Sequence, residues 1–157
     1  MPIIDFKEIP QANTGDGTQD TFELFARDFF EVLGFNVEEH PSRGADGGKD
    51  LILSENLIGA ISSDKKRWIV SCKHYAHSRS SVRDKDEIDI VGRVRKHKSD
   101  GFLAFYSTVP SSGLIRTIRS HEDEIAIQVW DRERIETHLL VVVHQDIVPK
   151  NRTLTTE

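Results

Sequence analysis

The sequence predicts an α/β fold in which a mixed central sheet carries helices on both faces. Three observations lead to it: an aromatic stripe at helical spacing comes first, three strand-like segments follow, and helical and strand-like segments then alternate. Strands joined by turns pair antiparallel, whereas strands joined through a helix pair parallel. The sheet should therefore contain both kinds of pairing.

Length and composition restrict the class of protein. The chain has 157 residues, of which 37% are hydrophobic and 30% charged, as in a soluble globular domain. The longest aliphatic run, from Leu139 to Val143, is too short to span a bilayer, and no secretory signal opens the sequence. The single cysteine, Cys72, excludes an internal disulfide and argues against a structural zinc site. We therefore expect a cytoplasmic protein.

Periodicity and capping residues predict the elements in order, αβββαβ followed by further helix and strand. Thr18 or Asp20 caps the first helix, and Gly34 ends it. The predicted helices are 20–33, 86–98, 111–121 and 132–140, and the predicted strands are 35–38, 50–53, 68–73, 101–108 and 125–130. Residues 55–66 are expected to form a polar turn. The predicted organisation is an irregular lead-in (1–17), one domain (18–143), and a tail or boundary to a further domain (144–157).

Residues that can carry chemistry flank the second and third strands. Asp50 opens the second strand after a glycine-rich loop that holds Asp46, and Lys73 closes the third. A hairpin centred between Ile61 and Ser62 would place Asp50 opposite Lys73. Carboxylates bind a hard cation through oxygen, and an amine can orient water or offset charge on a phosphate. The pattern indicates metal-dependent phosphodiester cleavage, although turn aspartates and solvated strand-end lysines give the same residues.

The charge distribution indicates a phosphate-binding face. The net charge is −5, yet the segment from Lys65 to Lys98 contains 11 basic and 4 acidic residues, 11 − 4 = +7. A solvated helix face next to a loop is the alternative interpretation. The histidines of this segment, His74, His77 and His97, lack the spacing of a compact zinc site.

Five stretches then follow one another in a recognisable order: F-E-L-F-A-R-D-F-F-E-V-L-G-F, G-A-D-G-G-K-D-L, V-S-C-K-H-Y-A, D-E-I-D-I-V-G-R-V and G-F-L-A-F-Y-S-T-V-P-S-S-G-L. In order and spacing they resemble the PD-(D/E)XK nuclease superfamily and, within it, the Mrr-like restriction endonucleases. The resemblance extends from about Thr18 to Leu140.

The resemblance implies residue roles. Asp50 matches the metal-binding acid, Lys73 the catalytic lysine, Glu23 the assisting acid on the first helix, and Asp46 an additional acid. One position departs from the family pattern, because Ser71 stands two residues before the lysine, where Glu or Gln is usual.

A hydroxyl is a poorer ligand for Mg²⁺ than a carboxylate. The implied cofactor, Mg²⁺ or Mn²⁺ in its place, would therefore depend on Asp50, Glu23, the backbone carbonyl of Cys72 and water, with Ser71 adding at most a hydroxyl.

The resemblance implies a metal-dependent DNA endonuclease that acts in restriction or anti-phage defence, as a homodimer or fused to further domains. The alternative is a catalytically degenerate DNA-binding or sensing module of a larger defence protein. Phosphate contacts are expected along the basic segment and from Arg116, which is predicted to lie near a helix N-terminus. The candidate DNA-binding residues are Lys49, His74, Arg79, Arg83 and Arg116.

Overall fold

The structure, a computed structural model, describes residues 4–11, 20–41 and 49–147, with side chains as far as 141. The helices are α1 (Thr21–Val32), α2 (Ile90–Lys96), α3 (Ser112–Arg119) and α4 (Arg132–Ile147). The strands are β1 (Asn36–Glu39), β2 (Leu51–Ile58), β3 (Ser63–Lys73), β4 (Gly101–Tyr106) and β5 (Ala126–Trp130). Within these ranges no helix is long and apolar enough to cross a membrane.

The five strands form one mixed sheet in the order β1-β2-β3-β4-β5. The β1/β2 and β2/β3 pairs are antiparallel, and the β3/β4 and β4/β5 pairs are parallel. Residues of α1 and α4 are buried on one face of the sheet, and residues of α2 and α3 on the other. The predicted α/β architecture is confirmed.

The first helix is fixed by its cap and its aromatic stripe. The Asp20 carboxylate accepts hydrogen bonds from the backbone N–H groups of Phe22 and Glu23, as an N-cap should. The rings of Phe22, Phe29 and Phe30 pack around Phe105 of β4, with centroid distances of 5.2, 5.6 and 5.3 Å. Burial of these rings against the sheet places the first turn of α1 beside the end of β3.

The hairpin of β2 and β3 differs from the prediction in length and in register. Leu51 pairs with Val70 and Ile58 with Ser63, so most of residues 55–66, expected to form a turn, extend the two strands. The predicted pairing of Asp50 with Lys73 is wrong, because Asp50 N–H donates to the carbonyl of Val70, the residue that also pairs with Leu51. The two strands are thus shifted by two residues relative to the predicted pairing, and Asp50 lies just before the first regular pair of β2.

Two helix boundaries also differ. The predicted helix 86–98 is interrupted by Asp89, whose φ of 50° is left-handed, so α2 begins only at Ile90. Ile88 is 71% exposed, while Ile90 and Val94 are buried against the sheet. The last helix extends to Ile147 instead of ending at 140.

Gly101 gives a test of the sheet packing. A Cβ at this position would lie 2.6 Å from the Trp68 ring and 2.9 Å from the Ala126 Cβ. Because Trp68 is only 4% exposed and cannot swing away, we expect Gly101→Ala to lower the free energy of unfolding by about 1–3 kcal/mol. The control is Gly113→Ala in α3, where a Cβ meets only the Asp84 side chain and alanine favours the helix. Urea unfolding should show opposite signs for the two variants, and equal effects would contradict this packing.

Candidate active site

The candidate site lies where β2 begins and β3 ends. Alternation along β3 directs Ser71 and Lys73 to the face that carries Ile69. Asp50 immediately precedes β2, and its carboxylate accepts from the backbone N–H of Cys72, the residue before Lys73. The Asp50 carboxylate and Lys73 therefore lie at the same end of the sheet.

Hydrogen bonds fix the Asp50 carboxylate at the end of the strand. Asp50 N–H donates to the Val70 carbonyl at 2.9 Å, and the Asp50 Oδ2 accepts from Cys72 N–H at 2.5 Å. Backbone N–H and C=O of one residue point to the same side of a strand. The Cys72 carbonyl is therefore directed toward β2 and Asp50, whereas the Lys73 carbonyl accepts from Ser107 N–H on the β4 side.

Several carboxylates surround the Cys72 thiol. Burial raises its pKa well above the usual value, and the negative charges of Asp50, Glu23 and Asp20 raise the pKa further. The thiol is therefore protonated and unsuited to act as a nucleophile. Glu23 is half-buried in the first turn of α1. Because its charge acts on the Cys72 pKa as that of Asp50 does, both carboxylates lie near the end of β3.

Lys73 is half-buried, and its amine makes no ion pair within the ranges that the structure describes. An ammonium without a fixed partner, beside an excess of carboxylates, is available to a phosphate or to a water molecule. Asp46, the additional acid implied by the resemblance, lies outside the described residues.

Glu87 is the residue that sequence reasoning missed. Its side chain is fully buried, and Oε1 accepts hydrogen bonds from Ser71 Oγ at 2.8 Å and from Arg93 at 3.2 Å. Its Oε2 accepts from the Tyr106 hydroxyl at 2.6 Å. Burial and the Glu87 charge raise the pKa of Tyr106 far above its usual value, so the phenol remains a donor. The Glu87 carboxylate is thus hydrogen-bonded to Ser71, the serine at the position where Glu or Gln is usual.

The oxygen donors at this edge suit a hard divalent cation. Across the described part of the chain, no group of three or more His, Cys, Asp or Glu side chains is arranged to hold a metal ion. Mg²⁺, however, typically binds through one or two carboxylates, water and substrate phosphate. Asp50, Glu23 and the Cys72 carbonyl match that kind of ligand set.

His74 has an internal role. Ala76 N–H donates to Ser107 Oγ at 3.1 Å, the Ser107 hydroxyl then donates to His74 Nδ1 at 2.8 Å, and His74 Nε2–H donates to the Ile9 carbonyl at 2.7 Å. The ring also stacks on Phe22 at 4.7 Å. Because both ring nitrogens have partners inside the chain, the geometry does not support the expected DNA contact.

The protonation of His74 should therefore affect stability. Burial lowers the pKa of His74 from its usual 6.5, with a further lowering from His77. The folded protein then binds a proton less readily than the unfolded chain, so the contribution is complete above pH 6.5 and declines as the pH falls below it. NMR titration of the ring should give a midpoint below 6.5, and His74→Gln should weaken the fall in unfolding free energy at acid pH. A midpoint at or above the usual value would contradict this assignment.

Two other expected DNA contacts are corrected by their positions. Lys49 is only 4% exposed, and its amine pairs with the Glu39 carboxylate of β1, so it stabilises the sheet edge. Arg116 lies in the last turn of α3 and not near its N-terminus. α3 runs antiparallel to the strands that it connects. Its last turn therefore lies toward the end of the sheet opposite the end where Lys73 lies.

The basic segment does not form one face. Lys65 and Arg67 lie at the start of β3 and pair with Glu38, and Arg93 pairs with the buried Glu87. The last turn of α2 lies at the end of the sheet away from Lys73, where Arg67 donates to the His97 carbonyl. In the segment that follows β3, Arg79, Arg83 and Lys85 are exposed.

Comparison with known proteins assigns the family. The Mrr_cat family model, described as restriction endonuclease, matches residues 16–138 of the chain. The chain belongs to this restriction endonuclease family. The resemblance drawn from the sequence is thereby confirmed. No curated protein matches the chain.

Comparison with solved structures supports the fold through one neighbour with a TM-score above 0.5. One similar structure is the DNA modification-dependent restriction endonuclease AspBHI, with a TM-score of 0.60 and 13% identity over 79% of this chain and 31% of that one. Another is the MspJI restriction endonuclease in complex with a 27-mer oligonucleotide, with a TM-score of 0.44 and 21% identity over 73% of this chain and 25% of that one. The chain thus spans about a third or less of the length of either protein.

Proposed function

We propose that this chain is a DNA endonuclease that hydrolyses phosphodiester bonds with Mg²⁺ or Mn²⁺, in restriction of foreign DNA. The observation that supports the proposal is the hydrogen bond from Cys72 N–H to the Asp50 carboxylate, which lies at the end of β3 that Lys73 closes. The family assignment adds independent support.

The roles of the side chains follow from their positions. A bound divalent cation would polarise the scissile phosphate and lower the pKa of a water molecule. Asp50 and Glu23, with the Cys72 carbonyl, would supply oxygen ligands to that cation. Lys73, whose amine is not committed to a described acid, orients the attacking water or offsets negative charge that develops on the phosphate.

We further propose that Glu87 acts through Ser71. The Ser71 hydroxyl donates a hydrogen bond to the Glu87 carboxylate. The lone pairs of the Ser71 oxygen therefore remain available to accept a hydrogen bond from water or to contact a cation. The buried carboxylate makes that oxygen more negative than a serine alone would be. Glu87 is thus a positioning residue that offsets the loss of the usual acid at position 71.

The second candidate function is a DNA-binding module without catalysis. The serine at position 71 favours it, because direct coordination by a third carboxylate is lost there. Such a module would bind DNA equally well in chelator and in Mg²⁺. Lys73→Ala would then change the affinity for DNA alone, because there would be no cleavage to lose.

Plasmid cleavage separates the two functions. Supercoiled plasmid is incubated with the protein in Mg²⁺, in Mn²⁺ or in chelator, beside Lys73→Ala. Lys66→Ala is the control, because Lys66 belongs to the same strand but lies at its other end, over the Trp68 ring. We expect nicked or linear plasmid only with metal, and a loss on the order of a hundredfold for Lys73→Ala alone. Cleavage in chelator, or equal activity of both variants, would contradict the proposal.

A further inference from the structure

A cavity of about 520 Å³ opens beside the end of β4, next to the candidate site but outside it. Three basic residues and one acid, Asp5, line the cavity, so the formal charge of its lining is 3 − 1 = +2. The basic residues are Lys7, Arg79 and Arg132. In a chain with a net charge of −5, this concentration of positive charge favours an anionic ligand.

The three cations are available to a ligand. Lys7, Arg79 and Arg132 make no ion pair with any residue that the structure describes. Arg79 also adopts a left-handed φ of 57°, an arrangement that costs free energy for a residue other than glycine. Its backbone N–H closes the turn with the Ala76 carbonyl at 3.3 Å, which places Arg79 at the cavity wall. Residues in such sparsely populated conformations cluster at functional sites, and this one lines the cavity.

The remaining walls supply hydroxyl groups and apolar surface. Thr108 is 9% exposed, and its buried Oγ1 has no hydrogen-bond partner among the described residues. An unpaired buried hydroxyl costs free energy, and a water molecule or a ligand in the cavity that Thr108 lines can supply its partner. Apolar contact comes from a separate set of lining residues: Ile4, Phe6, Ala76 and Val109.

We propose that this cavity binds a nucleotide unit, with its phosphate on Arg79, Arg132 and Lys7 and its sugar or base against the apolar wall. Guanidinium groups recognise phosphate oxygens through paired hydrogen bonds, and the volume suits a ligand larger than a bare phosphate ion. Ser107, which lines the cavity, donates from its N–H to the Lys73 carbonyl, so the bound unit would lie beside the strand that carries the catalytic lysine. The inference extends the proposed function, in which the same DNA strand reaches Lys73.

Calorimetric titration of the full chain with thymidine 5′-monophosphate, in chelator, tests the cavity without catalysis. We expect binding that weakens about tenfold in Arg79→Ala and in Arg132→Ala, because each substitution removes a charge-assisted contact. Arg95→Ala is the matched control, since Arg95 is 70% exposed and lies on α2 outside the cavity. Thr108→Val should keep the fold and weaken binding about fivefold. Equal binding by inorganic phosphate, or unchanged binding in both arginine variants, would overturn the proposal.

Two further arms identify the source of the phosphate and separate the two proposals. Displacement of the nucleotide by a short DNA duplex would assign the phosphate to the DNA strand, and its retention would assign it to a free nucleotide. Plasmid cleavage with metal but no nucleotide binding would overturn the cavity proposal alone. Nucleotide binding with the expected variant effects but no cleavage would overturn the endonuclease proposal alone.

Discussion

Asp50→Asn is expected to reduce metal-dependent plasmid cleavage on the order of a thousandfold while the protein remains folded. The amide oxygen of asparagine can still accept the hydrogen bond from Cys72 N–H, so the end of β3 keeps its geometry. The substitution removes the negative charge, and a neutral amide is a much weaker ligand for a hard cation. The loss of activity should therefore come without a matching loss of stability.

The matched control for this variant is Asp64→Asn, which removes the charge of an exposed acid at the other end of β3. Plasmid cleavage gives the activity, and thermal unfolding with and without Mn²⁺ gives an independent measure of metal binding. We expect Mn²⁺ to raise the melting temperature of the wild type and of Asp64→Asn but not of Asp50→Asn. If Asp50→Asn retained cleavage within about threefold of the wild type, Asp50 would not be the metal-binding acid.

The parts of the fold that local physics determines were predictable from the sequence. Asp20 caps the first helix because its side chain reaches the first free N–H groups, and Gly34, with a φ of 103°, ends it. The alternation of Ile69, Ser71 and Lys73 gave the correct face of β3, because strand periodicity does not depend on tertiary contacts. The order of the elements, three strand-like segments followed by alternating helix and strand, was enough to predict helices on both faces of a mixed sheet.

The hairpin register was not predictable. Beyond Ser54 the strands leave the core, so polar and apolar side chains no longer mark a face, and the tip has no two-residue turn signature. Ile61 at the tip is apolar but 99% exposed, so its residue type indicates neither its exposure nor its place in a turn. The predicted centre is consequently one position too far along the chain, since Leu51 pairs with Val70 and Ile58 with Ser63.

The tertiary partners in the site were equally hidden. Glu87 lies 16 residues after Ser71, in a loop segment where acidic and basic residues are mixed, and nothing in its neighbours marks it as buried. Lys49 follows two glycines and appeared solvent-exposed, yet it packs beneath β1 against Glu39. Buried polar residues are identified by the donors around them, and those donors come from distant parts of the chain.

Glu87→Ala is expected to cause the largest loss of stability among the site variants, about 3 kcal/mol in the free energy of unfolding. The substitution leaves three donors without their acceptor: Ser71 Oγ, the Tyr106 hydroxyl and the Arg93 guanidinium. Because the Glu87 side chain is fully buried and that of Arg93 is only 13% exposed, solvent cannot replace the lost carboxylate. Urea denaturation at neutral pH measures the effect.

The surface pair of Arg95 and Glu124 provides the control. Their atoms lie 3.9 Å apart and both side chains are more than half exposed, so Glu124→Ala should cost less than about 0.5 kcal/mol. The double variant Glu87→Met with Arg93→Met removes both charges together and should recover part of the lost stability, since no buried charge then loses its partner. A loss for Glu87→Ala as small as that for Glu124→Ala would show that the buried network does not stabilise the fold. In that case Ser71 would also lack the fixed carboxylate from which its proposed role derives.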